Sequence, residues 1–238
     1  MTPSSLARVN AAVAEVCAAG RGHVCLDADG VLWREDVAND YMASCLERHI
    51  LRPKQEAIAR EAWEKYWRGE LDREGETRLA AISVEVFQGL HEDFVAADCA
   101  AFVQKRFASL LIPEVRDWVA RLQTAGATCW VLSGSLIWGV RAGAALVGIP
   151  PERVLAVGTL ACNGILTPRL AQPFTYGPGK AEAVRQILPE PPIMVFGNTI
   201  NDVPMLETAT RMAVAIEPDA ELARIAAERD WPVLELRK

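Results

Sequence analysis

The stretch His23-Val24-Cys25-Leu26-Asp27-Ala28-Asp29-Gly30-Val31-Leu32 decides how this chain is read. Residues 23–27 form a short, mostly apolar run of the kind that becomes a buried strand. The run ends in two carboxylates two positions apart, followed at once by glycine. Burying carboxylates at a strand end without partners costs several kcal/mol, on the order of the desolvation penalty of a charge. A metal cation or a reaction would offset that cost. Asp-Gly is also a turn-favouring pair, so the stretch by itself equally reads as the start of a loop.

Working outward, residues 128–132, 154–157, 193–196, 212–216 and 233–236 read as further strands. Helical periodicity covers residues 114–124, 136–147, 180–188, 201–209 and 219–229. Strands alternating with helices imply parallel βαβ units and a doubly wound, Rossmann-like α/β sheet. Residues 37–109 break the alternation. They carry no strand-like run, and their apolar spacing predicts about four helices. An insertion of that length exceeds an ordinary βα connection and reads as an all-helical cap. The expected division is a core of residues 1–36 and 110–238 with a cap of residues 37–109.

Three further motifs sit where strands end, and in open α/β sheets that is where ligands bind. In Val131-Leu132-Ser133-Gly134-Ser135 a hydroxyl and glycine precede a helix. Backbone N–H groups and a hydroxyl there suit a phosphate oxygen, while Ser135 also reads as a helix N-cap. In Gly177-Pro178-Gly179-Lys180 a lysine opens a helix against the macrodipole, a placement that an anionic ligand would offset. A solvated surface lysine is the alternative. In Val195-Phe196-Gly197-Asn198-Thr199-Ile200-Asn201-Asp202 polar groups cluster before a helix, and Asp202 reads either as a cap or as a metal ligand.

Taken in order, these motifs resemble the haloacid dehalogenase superfamily, most closely its phosphoserine phosphatase-like branch. The resemblance spans residues 24–205 and puts the helical insertion where that branch carries its cap. It implies a Mg²⁺-dependent phosphatase acting on a small phosphomonoester. Asp27 would be the nucleophile that forms an aspartyl-phosphate. Asp29 would be the general acid and base, and would have to hold a proton near neutral pH. Ser133 would bond a phosphoryl oxygen and Lys180 would screen charge. Gly134, Asn201 and Glu35 would contact phosphate or substrate. The Mg²⁺ would be held by Asp27, Asp29 through its backbone carbonyl, and the fourth motif through Asn198 and Asp202. Asp29 favours phosphate ester chemistry over carbon–halogen cleavage, since the dehalogenase branch usually lacks that second carboxylate. The chain departs from the family at Asn198, where the pattern has aspartate. An amide oxygen still coordinates but removes one negative charge, so weaker Mg²⁺ binding is expected. A phosphotransferase on the same site and a non-catalytic phosphometabolite-binding protein are the alternatives.

Composition narrows the partners. The chain has 238 residues, a net charge of −6 and no Lys/Arg run, so no nucleic acid partner is expected. No apolar stretch approaches the ~20 residues of a membrane span. Residues 1–20 read as an amphipathic helix rather than a signal peptide. The six cysteines lack any CxxC pairing and read as reduced and buried, which fits a cytoplasmic protein. Trp33, Trp63, Tyr66, Trp67 and Trp138, with acidic neighbours Glu35 and Asp36, read mainly as packing. Such a cluster would also suit a cationic head group.

Overall fold

The computed structural model describes residues 4–236. In chain order the elements are α1 (Ser5–Ala19), β1 (His23–Leu26), α2 (Val37–Glu47), α3 (Pro53–Trp67), α4 (Arg73–Glu85), α5 (Glu92–Arg106) and α6 (Pro113–Thr124). They continue with β2 (Thr128–Leu136), α7 (Ile137–Ala145), β3 (Val154–Val157), β4 (Thr159–Cys162), β5 (Ile165–Leu170) and α8 (Pro178–Ile187). The chain closes with β6 (Met194–Gly197), α9 (Val203–Leu206), β7 (Met212–Ile216), α10 (Ala220–Glu228) and β8 (Val233–Leu234).

Six strands form one sheet in the order β3-β2-β1-β6-β7-β8, and every pairing is parallel. This is the expected doubly wound α/β sheet, with helices on both faces. The alternation of strand side chains separates two apolar clusters. Val24, Leu26, Val131, Phe196 and Val214 belong to the cluster that also holds α1 and α6 residues such as Val13 and Trp118. Cys25, Leu132, Val195 and Ala215 point the other way, into a cluster with Val184, Met205 and Leu222. The central strands are buried on both faces, which is why they read as continuous apolar runs. The chain leaves β1 toward β2 and β3 on one side, then returns to β6 on the other. The strand order thus switches at β1, and the crevice beyond its carboxyl end is the ligand position of such sheets.

The four helices α2–α5 follow β1, as the spacing predicted. Asp36 and Asp72 cap α2 and α4, accepting from the backbone N–H of Asn39 and Gly75 at 2.8 Å each. Proline at its first turn starts α3. Trp63 and Tyr41 are fully buried among these helices.

Two local departures from the sequence reading matter. Residues 159–170 form an antiparallel hairpin, β4–β5, that was not expected. Its signal is Asn163-Gly164, both at positive φ (51° and 76°), the pair that a tight hairpin turn demands. The hairpin is tied to the helical segment, since Gly89 N–H donates to Leu166 O (2.8 Å) and Leu166 N–H to Leu90 O (2.9 Å). The other departure is β2, which stays extended through Ser133-Gly134-Ser135 to Leu136, pairing with β3 across a register shift. The following helix therefore starts later than expected, with Leu136 rather than Ser135 at its N-cap. Among the described residues no helix is long and apolar enough to cross a membrane.

Candidate active site

Asp27 is the first residue past β1, and its N–H donates to Phe196 O (2.9 Å), extending the β1–β6 ladder by one step. The ladder fixes its carboxylate at the sheet edge, 6% exposed. Lys180, from the first turn of α8, is 4% exposed and meets it there. Its ammonium donates to Asp27 Oδ1 (2.6 Å) and to Asp202 Oδ1 (2.5 Å). Lys180 is thus a buried cation between two carboxylates, not a surface side chain. Burial alone would lower its pKa, but the charges of Asp202 and Asp27 more than reverse that and hold it protonated. Burial and the Asp202 charge push Asp27 up, opposed by Lys180. Its second carboxylate oxygen has no hydrogen bond among the described residues.

Asp29 faces the start of α2. Its Oδ1 accepts from Trp33 Nε1 (2.7 Å) and the Val37 N–H (2.8 Å). Its Oδ2 accepts from Ser135 Oγ (2.5 Å). Burial, then the neighbouring Asp36 charge, push its pKa to about 7 despite those bonds. Ser135 was not among the expected site residues. Only the unexpected extension of β2 turns its hydroxyl toward Asp29 instead of a helix end. Ser133 is 1% exposed, and its Oγ accepts from the Ser135 N–H (3.1 Å). Its carbonyl accepts from Thr175 Oγ1 (2.8 Å).

In the fourth motif Asp202 is enclosed. Its Oδ2 accepts from the N–H groups of Asn198 (2.9 Å) and Thr199 (3.0 Å), and its Oδ1 from Lys180. The residue is 0% exposed and is not among the residues that line the cavity. Asp202 thus caps and braces the loop, as one of its two sequence readings had it, and holds Lys180. Asn198 behaves differently. Its Oδ1 is buried and has no hydrogen-bond partner. Its amide lies against Gly30, where a Cβ would come within 2.0 Å of Nδ2. Gly30 also has φ +74°, so both space and backbone require glycine there. Among the described residues no three His, Cys, Asp or Glu side chains gather into a metal cluster. A cation here would draw on Asp27, the Asn198 amide oxygen and the Asp29 carbonyl. An orphaned buried oxygen beside a carboxylate fits a hard, oxygen-seeking ion.

These groups open onto a cavity of about 340 Å³. Asp27, Asp29, Ser133, Gly134, Lys180, Asn198, Asn201 and Glu35 all line it, and Asp202 stands behind it, joined to the site through Lys180. Gly134 lets the Tyr176 ring approach, since a Cβ would meet its Cδ2 at 2.7 Å. Asn201 Nδ2 donates to the Tyr176 hydroxyl (3.0 Å), which donates weakly to Glu76 Oε2 (3.4 Å). The far wall comes from α2–α4 through Asp36, Asn39, Trp63, Tyr66 and Glu76. Asn39 joins the two rings there, accepting from Trp63 Nε1 and donating to Tyr66 Oη, each at 3.0 Å. Trp33 and Trp138 are instead core, packed on Phe107 and Phe87, and Trp67 is 55% exposed. The aromatic group is thus divided: Trp63 and Tyr66 line the cavity and the rest do not. Tyr176 and Glu76 were missed because no local pattern marks them.

The fold is that of a known family. The chain matches the haloacid dehalogenase-like hydrolases over residues 24–207 and belongs to that family. Phosphoserine phosphatase SerB1 of Mycobacterium tuberculosis is 39% identical over 89 residues, which are 34% of this chain and only 29% of that relative. A protein of unknown function from Bordetella pertussis Tohama I has the same fold, with a TM-score of 0.76 at 23% identity, covering 91% of this chain and 99% of that one. A phosphoserine phosphatase solved as a phospho-aspartyl intermediate analogue aligns with a TM-score of 0.58 at 14% identity, covering 92% and 94%.

Proposed function

We propose that the protein is a Mg²⁺-dependent phosphatase that hydrolyses a small phosphomonoester through an aspartyl-phosphate on Asp27. The observation that carries this reading is the pairing of Asp27, held by Lys180 with one oxygen unbonded, with a second buried carboxyl, Asp29, whose pKa lies at about 7. The unbonded Asp27 oxygen attacks phosphorus, and the bond to the substrate alcohol oxygen breaks. The departing alkoxide takes the Asp29 proton. Asp29 then takes a proton from water as that water displaces Asp27 from phosphorus. The Ser133 hydroxyl and the N–H groups at Gly134 receive phosphoryl oxygens, and Lys180 holds Asp27 in place. The residues that would hold Mg²⁺ are Asp27, Asn198 and the Asp29 carbonyl. The ion would neutralise charge on the phosphoryl oxygens.

We read residues 37–109 as the cap and residues 1–36 with 110–238 as the core. The cap closes over the substrate and excludes bulk water. The free cysteines, four of them buried, support a cytoplasmic setting.

The test is phosphate release from a panel of small monoesters and an aryl phosphate, with and without Mg²⁺. Asp27→Asn is expected to lower turnover by about 10³-fold or more and to abolish the phosphoryl adduct seen by mass spectrometry. Release that survives Asp27→Asn overturns the nucleophile. Release only when an alcohol acceptor is added makes the protein a phosphotransferase. Phosphate binding without turnover makes it a binding protein.

A further inference from the structure

The cavity is unbalanced in charge. Five carboxylate side chains line it, against the two cations Arg34 and Lys180, among the described residues. Lys180 is committed to Asp27 and Asp202. Asp27 and Asp29 belong to the chemistry, which leaves Glu35, Asp36 and Glu76 along the helical wall. Among the described residues neither Asp36 nor Glu76 has an ion-pair partner. Asp36 caps α2 with Oδ1, and Glu76 receives only the long bond from Tyr176.

Aromatic faces lie between these carboxylates. The Tyr66 ring lines the same cavity as Asp36, Glu76 and Asp29, and burial, then the Asp36 charge, holds its phenol above its ordinary pKa. Asn39 fixes Tyr66 against Trp63, and Asn201 fixes Tyr176, so the rings are pre-positioned. Rigid rings flanked by unpaired carboxylates attract a cation and repel an anion. A volume of about 340 Å³ is near the lower end for ligand pockets, so the ligand is small.

We propose that the substrate is a small phosphomonoester whose alcohol part carries a positively charged ammonium group and no carboxylate, seated against Tyr66 and Tyr176 between Asp36 and Glu76. This rests on the phosphatase reading above. A phospho-amino acid is disfavoured because its carboxylate would face three carboxylates with Arg34 alone to balance it.

The experiment compares kcat/KM for phosphoethanolamine and phosphocholine with that for 3,3-dimethylbutyl phosphate, an uncharged isostere of the latter, and for phosphoserine. A preference of about tenfold or more for both cationic esters over the isostere is expected. Glu76→Gln and Tyr66→Leu are each expected to cut that preference to about threefold or less. The ratio cancels any loss of chemistry common to both substrates. Quenching of tryptophan fluorescence by free choline, weakened in Glu76→Gln, supplies a readout independent of turnover. Equal rates for phosphocholine and its isostere overturn the proposal. So does a preference for phosphoserine that Arg34→Ala removes. Hydrolysis of aryl phosphate without any cation preference defeats this inference alone. No hydrolysis of any ester defeats the phosphatase reading and this inference with it.

Discussion

The two walls of the cavity treat charge in opposite ways. On the sheet side Asp27, Lys180 and Asp202 are charge-paired: Lys180 lies between Asp27 and Asp202, and Asp202 is further held by two backbone N–H groups. On the helical side, among the described residues, Asp36 and Glu76 pair with no cation, and the polar order comes from Asn39 linking two rings. The first arrangement suits a reaction, because groups that must not move are pre-organised. The second suits selection, because carboxylates left without partners are satisfied by whichever ligand supplies the charge.

The largest effect is expected where the sheet side is broken. Lys180→Met leaves Asp27 and Asp202 buried together with no cation. That should cost about 3–5 kcal/mol of stability, measured by urea unfolding. Lys180 opposes the upward push on Asp27, so without the ammonium Asp27 holds its proton more tightly in the folded state and the loss should deepen as pH rises. A cost below about 1 kcal/mol, in the range of surface ion pairs, would mean that the sheet side is not a charge-paired unit.

A smaller effect is expected at Asn198, whose amide oxygen is buried without a hydrogen-bond partner among the described residues. Asn198→Asp adds a negative charge beside Asp27 and should tighten Mg²⁺ binding by about tenfold, read by calorimetry. An unchanged affinity would remove Asn198 from the cation site.

The smallest effect tests the contact between the two walls. Burial and Asp36 raise the Asp29 pKa to about 7, and burial raises that of Asp36 to about 6. A carboxyl whose folded pKa lies above its unfolded value favours the fold most at low pH. That contribution fades as pH rises through the folded pKa. With metal chelated, the melting temperature should therefore fall by a few degrees between about pH 4 and pH 7. Asp36→Asn should flatten that slope. A slope flattened by no more than the loss of Asp36's own titration would mean that the two walls are electrostatically independent.

How much could be read without coordinates differs between the walls in the same way. Asp27, Asp29 and Lys180 sit at strand or helix ends, and short local patterns mark such positions; Ser133, inside β2, was marked by the glycine beside it. Asp202 was found with two readings, cap or metal ligand, because its sequence neighbours do not reveal that Lys180 and two backbone N–H groups occupy its oxygens. Ser135 was read as a possible cap because nothing in Ser133-Gly134-Ser135 says that the strand continues through it. The hairpin at Asn163-Gly164 did carry a turn signal, but short flanking strands of four and six residues are easily passed over.

Periodicity and strand-end chemistry by themselves determined the doubly wound sheet, the helical insertion and the residues gathered at the carboxyl ends of the strands. These follow from local rules: alternation along a strand, apolar spacing along a helix, and the cost of a charge at a buried end. Only the tertiary structure decided which carboxylates face a cation and which face open space. It also brought Tyr176 and Glu76, 100 residues apart, to opposite ends of one hydrogen bond. The physical reason is that charge pairing depends on distance in space, and no local pattern encodes the distance between a loop after β5 and a helix that precedes it by a third of the chain.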